Sequence, residues 1–190
     1  EELRVWNPRI AGAAFYELGE VRLRLGELAQ AEQAFREADE LGRTPEPGLS
    51  LLRLAQGNAK GAFASIRRAA GDLSLNLPAQ ARLLPAAVEI AVAAGEVDQA
   101  AEYAERLGGV ADVYETSALR ASAAFARGQV ALGRSEADTA FHEFRQARMI
   151  WDSNGATYDV ARAREQLGKA LRAGGDEDAA VWELQVAAAR

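Results

Sequence analysis

A glycine followed five residues later by an alanine that opens an Ala-x3-apolar-x2 run recurs along this chain. The sets are Gly26/Ala31/Phe35/Ala38, Gly57/Ala62/Ile66/Ala69, Gly95/Ala100/Ala104/Leu107 and Gly175/Ala180/Leu184/Ala187. A fifth set, Ala140/Phe144/Ala147, has Ser135 at the glycine position. The opening alanines stand at 31, 62, 100, 140 and 180, so they are 31, 38, 40 and 40 residues apart. Repetition at such a period is the signature of a solenoid of stacked units, each covering its neighbour's apolar face. A fold of this kind presents surfaces, so a binding or regulatory role is expected before a catalytic one.

The repeated unit is helical. Apolar residues recur at i, i+3, i+4 and i+7 nearly throughout, with no period-2 run long enough for a strand. Helices are expected over 8–25, 28–42, 48–56, 59–71, 78–94, 97–108, 115–132, 136–152, 158–173 and 177–190. Asn7-Pro8 reads as an N-cap with proline at the first helical position. Gly26, Gly57, Gly95 and Gly175 stand where a helix ends in a left-handed residue. Each precedes Glu27, Asn58, Glu96 or Asp176, which suit a helix N-terminus by capping or by the macrodipole. The links between units are read as Gly42 to Gly48, Gly71 to Pro78, Gly108-Gly109 and Ser153-Asn154-Gly155. That divides the chain into one repeat domain over 1–190, with units at 8–43, 47–72, 78–109, 115–153 and 157–190. The spacing within a unit has a physical reason. Glycine makes the tight turn, the first alanine lets the second helix approach the first, and the bulky residue four positions on fills the groove between them. The next small residue lets the following unit dock.

Composition removes several classes of function. There is no cysteine, which excludes disulfides and thiolate metal sites, and a single histidine makes a histidine metal cluster or a Ser-His-Asp triad improbable. Net charge is −6 and pI about 5.0, against the basic face that nucleic-acid binding requires. No stretch reaches the ~20 apolar residues that cross a membrane. No signal peptide is visible, so a cytoplasmic location is expected. The chain opens Glu1-Glu2-Leu3 without an initiator methionine and reads as a piece of a longer protein.

Phe15, Leu18, Gly19, Gly26, Ala31, Phe35 and Ala38 together resemble a tetratricopeptide repeat: an aromatic, Leu-Gly, a turn glycine, then Ala-x3-Phe-x2-Ala. The last unit matches through Leu167-Gly168, Gly175, Ala180, Leu184 and Ala187. The middle units depart from the pattern, and Arg43 stands where its terminal proline would be. The resemblance implies an all-α fold: a right-handed superhelical solenoid of about five antiparallel hairpins. A second resemblance rests on Phe15-Tyr16-Glu17-Leu18-Gly19-Glu20-Val21-Arg22-Leu23-Arg24, on Pro47 to Gly57 and on Gly174-Gly175-Asp176-Glu177-Asp178-Ala179-Ala180. With Arg82-Leu83-Leu84-Pro85-Ala86 and Tyr158-Asp159-Val160-Ala161-Arg162, these are similar to the helical-repeat region of large actinobacterial LuxR-type transcriptional regulators. In that family the repeats lie between a nucleotide-binding module and a helix-turn-helix.

The tetratricopeptide resemblance implies a concave groove lined by the first helix of each unit. Mapped onto this chain, its positions are Tyr16, Glu20 and Arg24, then Leu51 and Leu54, Arg82 and Glu89, and Phe125 and Gln129. Arg162, Glu165, Lys169 and Arg172 complete the set. An ordinary solvated face with ion pairs such as Glu165–Lys169 is the competing reading. The clamp that captures chaperone C-termini is absent, since it needs lysine and asparagine where this sequence has Tyr16 and Glu20. No phosphate-loop, nucleophile-elbow or zinc-protease motif occurs. His142, between Phe141 and Phe144, reads as a surface or interhelical histidine. The acidic groups Glu37/Asp39/Glu40 and Asp176/Glu177/Asp178 sit at helix ends, where the second suits capping and the dipole. Arg67-Arg68 reads as a solvated patch. Trp6, Trp151 and Trp182 read as core or end-cap residues, with Trp182 exposed if further repeats follow.

The expected function is therefore a non-enzymatic regulatory repeat domain of a LuxR-type regulator, with no metal or cofactor. Its groove would take a peptide, a protein or a small inducer, or would hold the flanking domains of the same chain. This segment would not itself touch nucleic acid or membrane. A generic tetratricopeptide adaptor for protein assembly is the alternative. A homodimer formed through sticky array ends, with Leu184, Val186 and Trp182 at the edge, is a third reading.

Overall fold

The computed structural model describes residues 7–71 and 76–189; Trp6 lies outside them. The described residues form ten α-helices and no strand. They fall into two compact units, residues 1–72 and 73–190. The first holds α1 (Pro8–Arg24), α2 (Leu28–Glu40), α3 (Gly48–Ala55) and α4 (Ala59–Gly71). The second holds α5 (Leu77–Ala93), α6 (Val97–Tyr114), α7 (Ser117–Gly133), α8 (Ala137–Ser153), α9 (Thr157–Ala173) and α10 (Glu177–Ala188).

Helices pair in sequence: α1 with α2, α3 with α4, α5 with α6, α7 with α8 and α9 with α10. The second helix of a hairpin also packs on the first helix of the next, as α2 does on α3, α6 on α7 and α8 on α9. First helices touch in succession, α1 with α3 in one unit and α5 with α7 and α7 with α9 in the other. In the larger unit α5, α7 and α9 thus form one layer, and the side chains aimed out of that layer share a surface.

The turns inside the hairpins behave as the sequence predicts. Gly26, Gly57, Gly95 and Gly175 have φ of 76°, 82°, 83° and 89°, in the region that favours glycine. Ser135 takes the same turn with φ 63°. Its N–H donates to the Leu132 carbonyl at 3.0 Å and the Glu136 N–H to the Ala131 carbonyl at 2.9 Å, the pattern that Gly26 and Glu27 repeat with Leu23 and Arg22. Caps hold the helix starts: the side chains of Asn7, Asn58, Asn76 and Asp176 accept from the N–H of Ile10, Gly61, Ala79 and Ala179.

One expected boundary is corrected. Gly108-Gly109 is not a link: α6 runs through both glycines to Tyr114. Continuing the helix buries Val110 and Ala111, and the chain turns instead at Glu115, φ 52°, before Thr116 caps α7 with its hydroxyl. The third unit therefore ends near 114 rather than 109.

The hairpin cores rest on a pairing of small with bulky at a separation of sixteen residues. A Cβ on Gly19 would come within 2.6 Å of the Phe35 ring, one on Gly128 within 2.7 Å of the Phe144 ring, and one on Gly168 within 2.7 Å of Leu184 Cγ. The pairs Ser50/Ile66 and Val88/Ala104 have the same offset, and all four residues are buried. Where the second helix carries the small residue, the first carries the larger one. The buried Ser50 hydroxyl has no hydrogen-bond partner among the described residues.

Two stability measurements check these points by chemical denaturation. Ser135→Gly should stabilise by about 0.5–1 kcal/mol, because an L-residue in the left-handed region is strained and glycine is not. Gly128→Ala should destabilise by about 1–3 kcal/mol through overpacking against Phe144, and Phe144→Leu in the same chain should recover part of that loss.

Candidate functional site

The layer of first helices in the larger unit brings Glu89, Phe125 and Arg162 together from α5, α7 and α9. Arg162 Nη2 donates to Glu89 Oε2 at 2.7 Å. Its Nη1 lies 3.8 Å from Asp159 Oδ1, one turn earlier on α9. The guanidinium carbon sits 5.0 Å from the centre of the Phe125 ring. That ring packs in turn against Phe144 and Trp151 of α8, each with centroids 5.3 Å away. The arginine therefore lies between a carboxylate and an aromatic face, where a weakly hydrated planar cation is favoured.

No Cα of α5 comes within 8 Å of one in α9 among the described residues. The Glu89–Arg162 pair spans helices that share no backbone contact, reaching across α7 between them. Both side chains keep about a third of their surface in water, 35% and 34%. The pair is thus accessible to a competing group. An anionic ligand can take Arg162, and a cationic or hydrogen-bond-donating one can take Glu89 and Asp159.

Other residues expected in a groove have different surroundings. Phe125, at 5% exposure, is a core residue that lends only its face to Arg162, and Gln129, one turn on, is also buried. Arg82 is exposed on α5, two turns before Glu89. Glu165 and Lys169 pair with each other along α9 at 2.7 Å, exposed, as their spacing predicts. Arg172 grips Glu177 across the α9–α10 turn through Nε and Nη2. The hydrogen bond from Arg172 holds the Glu177 carboxyl below the usual carboxylate range. Pairing of this sign favours the folded state at neutral pH, and the effect is lost as pH falls through and below that range.

The smaller unit carries its own group. Tyr16 is 2% exposed, packed against Phe35 at 5.6 Å, so it too is a core residue. Its hydroxyl donates to Glu20 at 3.0 Å, Arg24 reaches Glu20 at 3.5 Å, and Arg43 lies over its ring at 4.8 Å. Leu51 and Leu54 are half-buried on α3.

Two features had no clear signal in the sequence. Gly128 lacks the preceding leucine of Leu18-Gly19 and Leu167-Gly168, and only its sixteen-residue offset from Phe144 identifies it. Arg164 and Glu183 form an ion pair at 2.6 Å with side chains 10% and 14% exposed. The Arg164 guanidinium also lies 5.5 Å from the Trp182 ring, which is itself exposed. His142 is exposed beside Phe141, Trp151 is buried, and Arg67 lies over Phe63. No helix among the described residues is long and apolar enough to cross a membrane, and none of their acidic and histidine side chains cluster as metal ligands do.

No family model matches this chain, and no curated protein does. Among solved structures it is similar to the crystal structure of BtubC (BKLC) from P. vanneervenii. The TM-score is 0.64 and identity 21%, over 98% of this chain and 83% of that one. A likeness at that identity concerns the fold alone.

The two roles within the site separate by their energetics. Phe125→Ala should cost about 3–5 kcal/mol of stability, as a buried ring does. Arg162→Ala should cost no more than about 1 kcal/mol, as a part-exposed ion pair does, and that cost should shrink as salt is raised in urea titrations.

Proposed function

We propose that this chain is a non-enzymatic, tetratricopeptide-like repeat domain of a LuxR-type transcriptional regulator, taking an inducer or peptide on the layer of α5, α7 and α9. In this reading the hairpins wind as a right-handed superhelix, the protein works in the cytoplasm, and flanking modules bind nucleotide and DNA. The observation that carries it is the Glu89–Arg162 pair across Phe125. It ties two helices that touch nowhere through their backbones, yet a third of it is open to solvent.

Such a tie is suited to a switch. A ligand that engages Arg162 or Glu89 replaces the tie with its own contacts and thereby prefers hairpin arrangements in which α5 and α9 are set differently. The equilibrium moves only by the difference in the ligand's affinity for the two arrangements, and flanking modules sense the change through their contacts with the hairpins. Phe125 and its aromatic neighbours are the fixed floor against which the change occurs.

The test is DNA binding by the intact protein. Glu89→Gln and Arg162→Met remove the ion pair and keep the side-chain volume, whereas Phe125 must be left alone because its loss unfolds the floor. Each variant should change DNA affinity by about 5-fold or more, the low end of allosteric couplings. Unchanged affinity in both variants, or an intact protein that does not bind DNA, would sink the reading.

A further inference from the structure

The chain has four asparagines, and Asn7, Asn58 and Asn76 are followed by Pro8, Ala59 and Leu77. Those three hold helix starts, where their side-chain oxygens accept from the N–H of Ile10, Gly61 and Ala79. Asn154 differs on both counts. It stands just past the C-terminal end of α8 and is followed by Gly155. Both residues are exposed, and Gly155 has φ 69°. The Asn154 side chain reaches out of its own turn to the first residue of α7. Its Nδ2 donates to the Ser117 hydroxyl at 3.0 Å, and the same hydroxyl lies 3.3 Å from its Oδ1.

A carboxamide is electrophilic at Cγ, and the nearest nucleophile along the chain is the backbone nitrogen of the next residue. Proline has no N–H to give up, and alanine and leucine crowd the approach with a Cβ. Glycine does neither. In the folded turn two restraints oppose the attack. The Gly155 N–H is held on the Asp152 carbonyl at 3.1 Å. The carboxamide is held on Ser117. Both restraints lie in water at a helix end, where local opening costs least.

We propose that Asn154 is a site of spontaneous deamidation and that Ser117 sets its rate. When the turn opens, the Gly155 nitrogen attacks Asn154 Cγ. A C–N bond forms, the Gly155 amide proton passes to solvent, and the side-chain nitrogen leaves as ammonia. Water then adds to either carbonyl of the cyclic imide, and the ring opens to aspartate or isoaspartate. The net reaction consumes one water and releases one ammonia, with no change of oxidation state. Either product carries a new carboxylate. In aspartate it lies at the C-terminal end of α8, where the helix dipole disfavours it, and beside the N-terminal end of α7, where the dipole favours it. Isoaspartate also routes the main chain through the side-chain carbon. That lengthens a turn closed by backbone bonds from Asn154 to Ile150, Gly155 to Asp152 and Ala156 to Trp151. The change therefore acts on the joint between α8 and α9.

The test is peptide mapping by mass spectrometry, after the intact chain is held at physiological temperature and mildly alkaline pH. Conversion should appear at Asn154 ahead of Asn7, Asn58 and Asn76, as a mixture of aspartate and isoaspartate. Ser117→Ala removes the hydroxyl and should speed conversion about 2–10-fold, the range that one lost hydrogen bond gives. Ser117→Thr keeps a hydroxyl and should convert at the unaltered rate. Circular dichroism checks that both variants remain helical. An Asn154 that stays intact in the folded chain while it converts in urea overturns the site. Equal rates in Ser117→Ala and the unaltered chain, or an acceleration that Asn58 shares, overturn the role of Ser117.

Discussion

Two antiparallel helices approach closely only where one of them gives up side-chain volume to the other. In three hairpins of this protein that constraint is met at an offset of sixteen residues. Glycine at 19, 128 and 168 receives Phe35, Phe144 and Leu184, with no room for even one added carbon. Close hairpins then leave the first helices free to stack on one another, and that stacking makes the layer on which the polar group of the larger unit sits.

The Glu89–Arg162–Phe125 group depends on this geometry at each step. Phe144 fills the space that Gly128 leaves, and Phe125 then leans on Phe144 and Trp151. A ring fixed from behind offers a flat face, and Arg162 lies over it with its end free to reach Glu89. The Arg164–Glu183 pair likewise ties α9 to α10 beside the indole of Trp182.

Much of the fold was legible because turn chemistry and periodicity are local. The glycines at 26, 57, 95 and 175 take positive φ as their positions predict, and Ser135 takes it too, showing that the turn belongs to the repeat and not to the residue type. Gly108-Gly109 misled for the same reason. A glycine pair is a local signal for a break, but Val110 and Ala111 gain more from burial in a continued helix than the two glycines cost in flexibility. Tyr16 and Phe125, expected on a groove, have their rings sunk into the core instead. A first-helix position that looks inward along the repeat also borders the neighbouring hairpin, and large rings follow the dry side.

By itself the sequence determined the helices, their pairing and the residues at each tight turn, because these follow from spacings of three to sixteen residues. The tertiary structure alone decided which side chains meet across long separations. Glu89 and Arg162 are 73 residues apart on helices without backbone contact, and no periodicity links them. It also decided which apolar stripes are covered. Leu18 and Leu167 occupy the same place in the repeat, and one is buried while the other is open to water, because burial is conferred by a neighbouring helix and not by the residue itself.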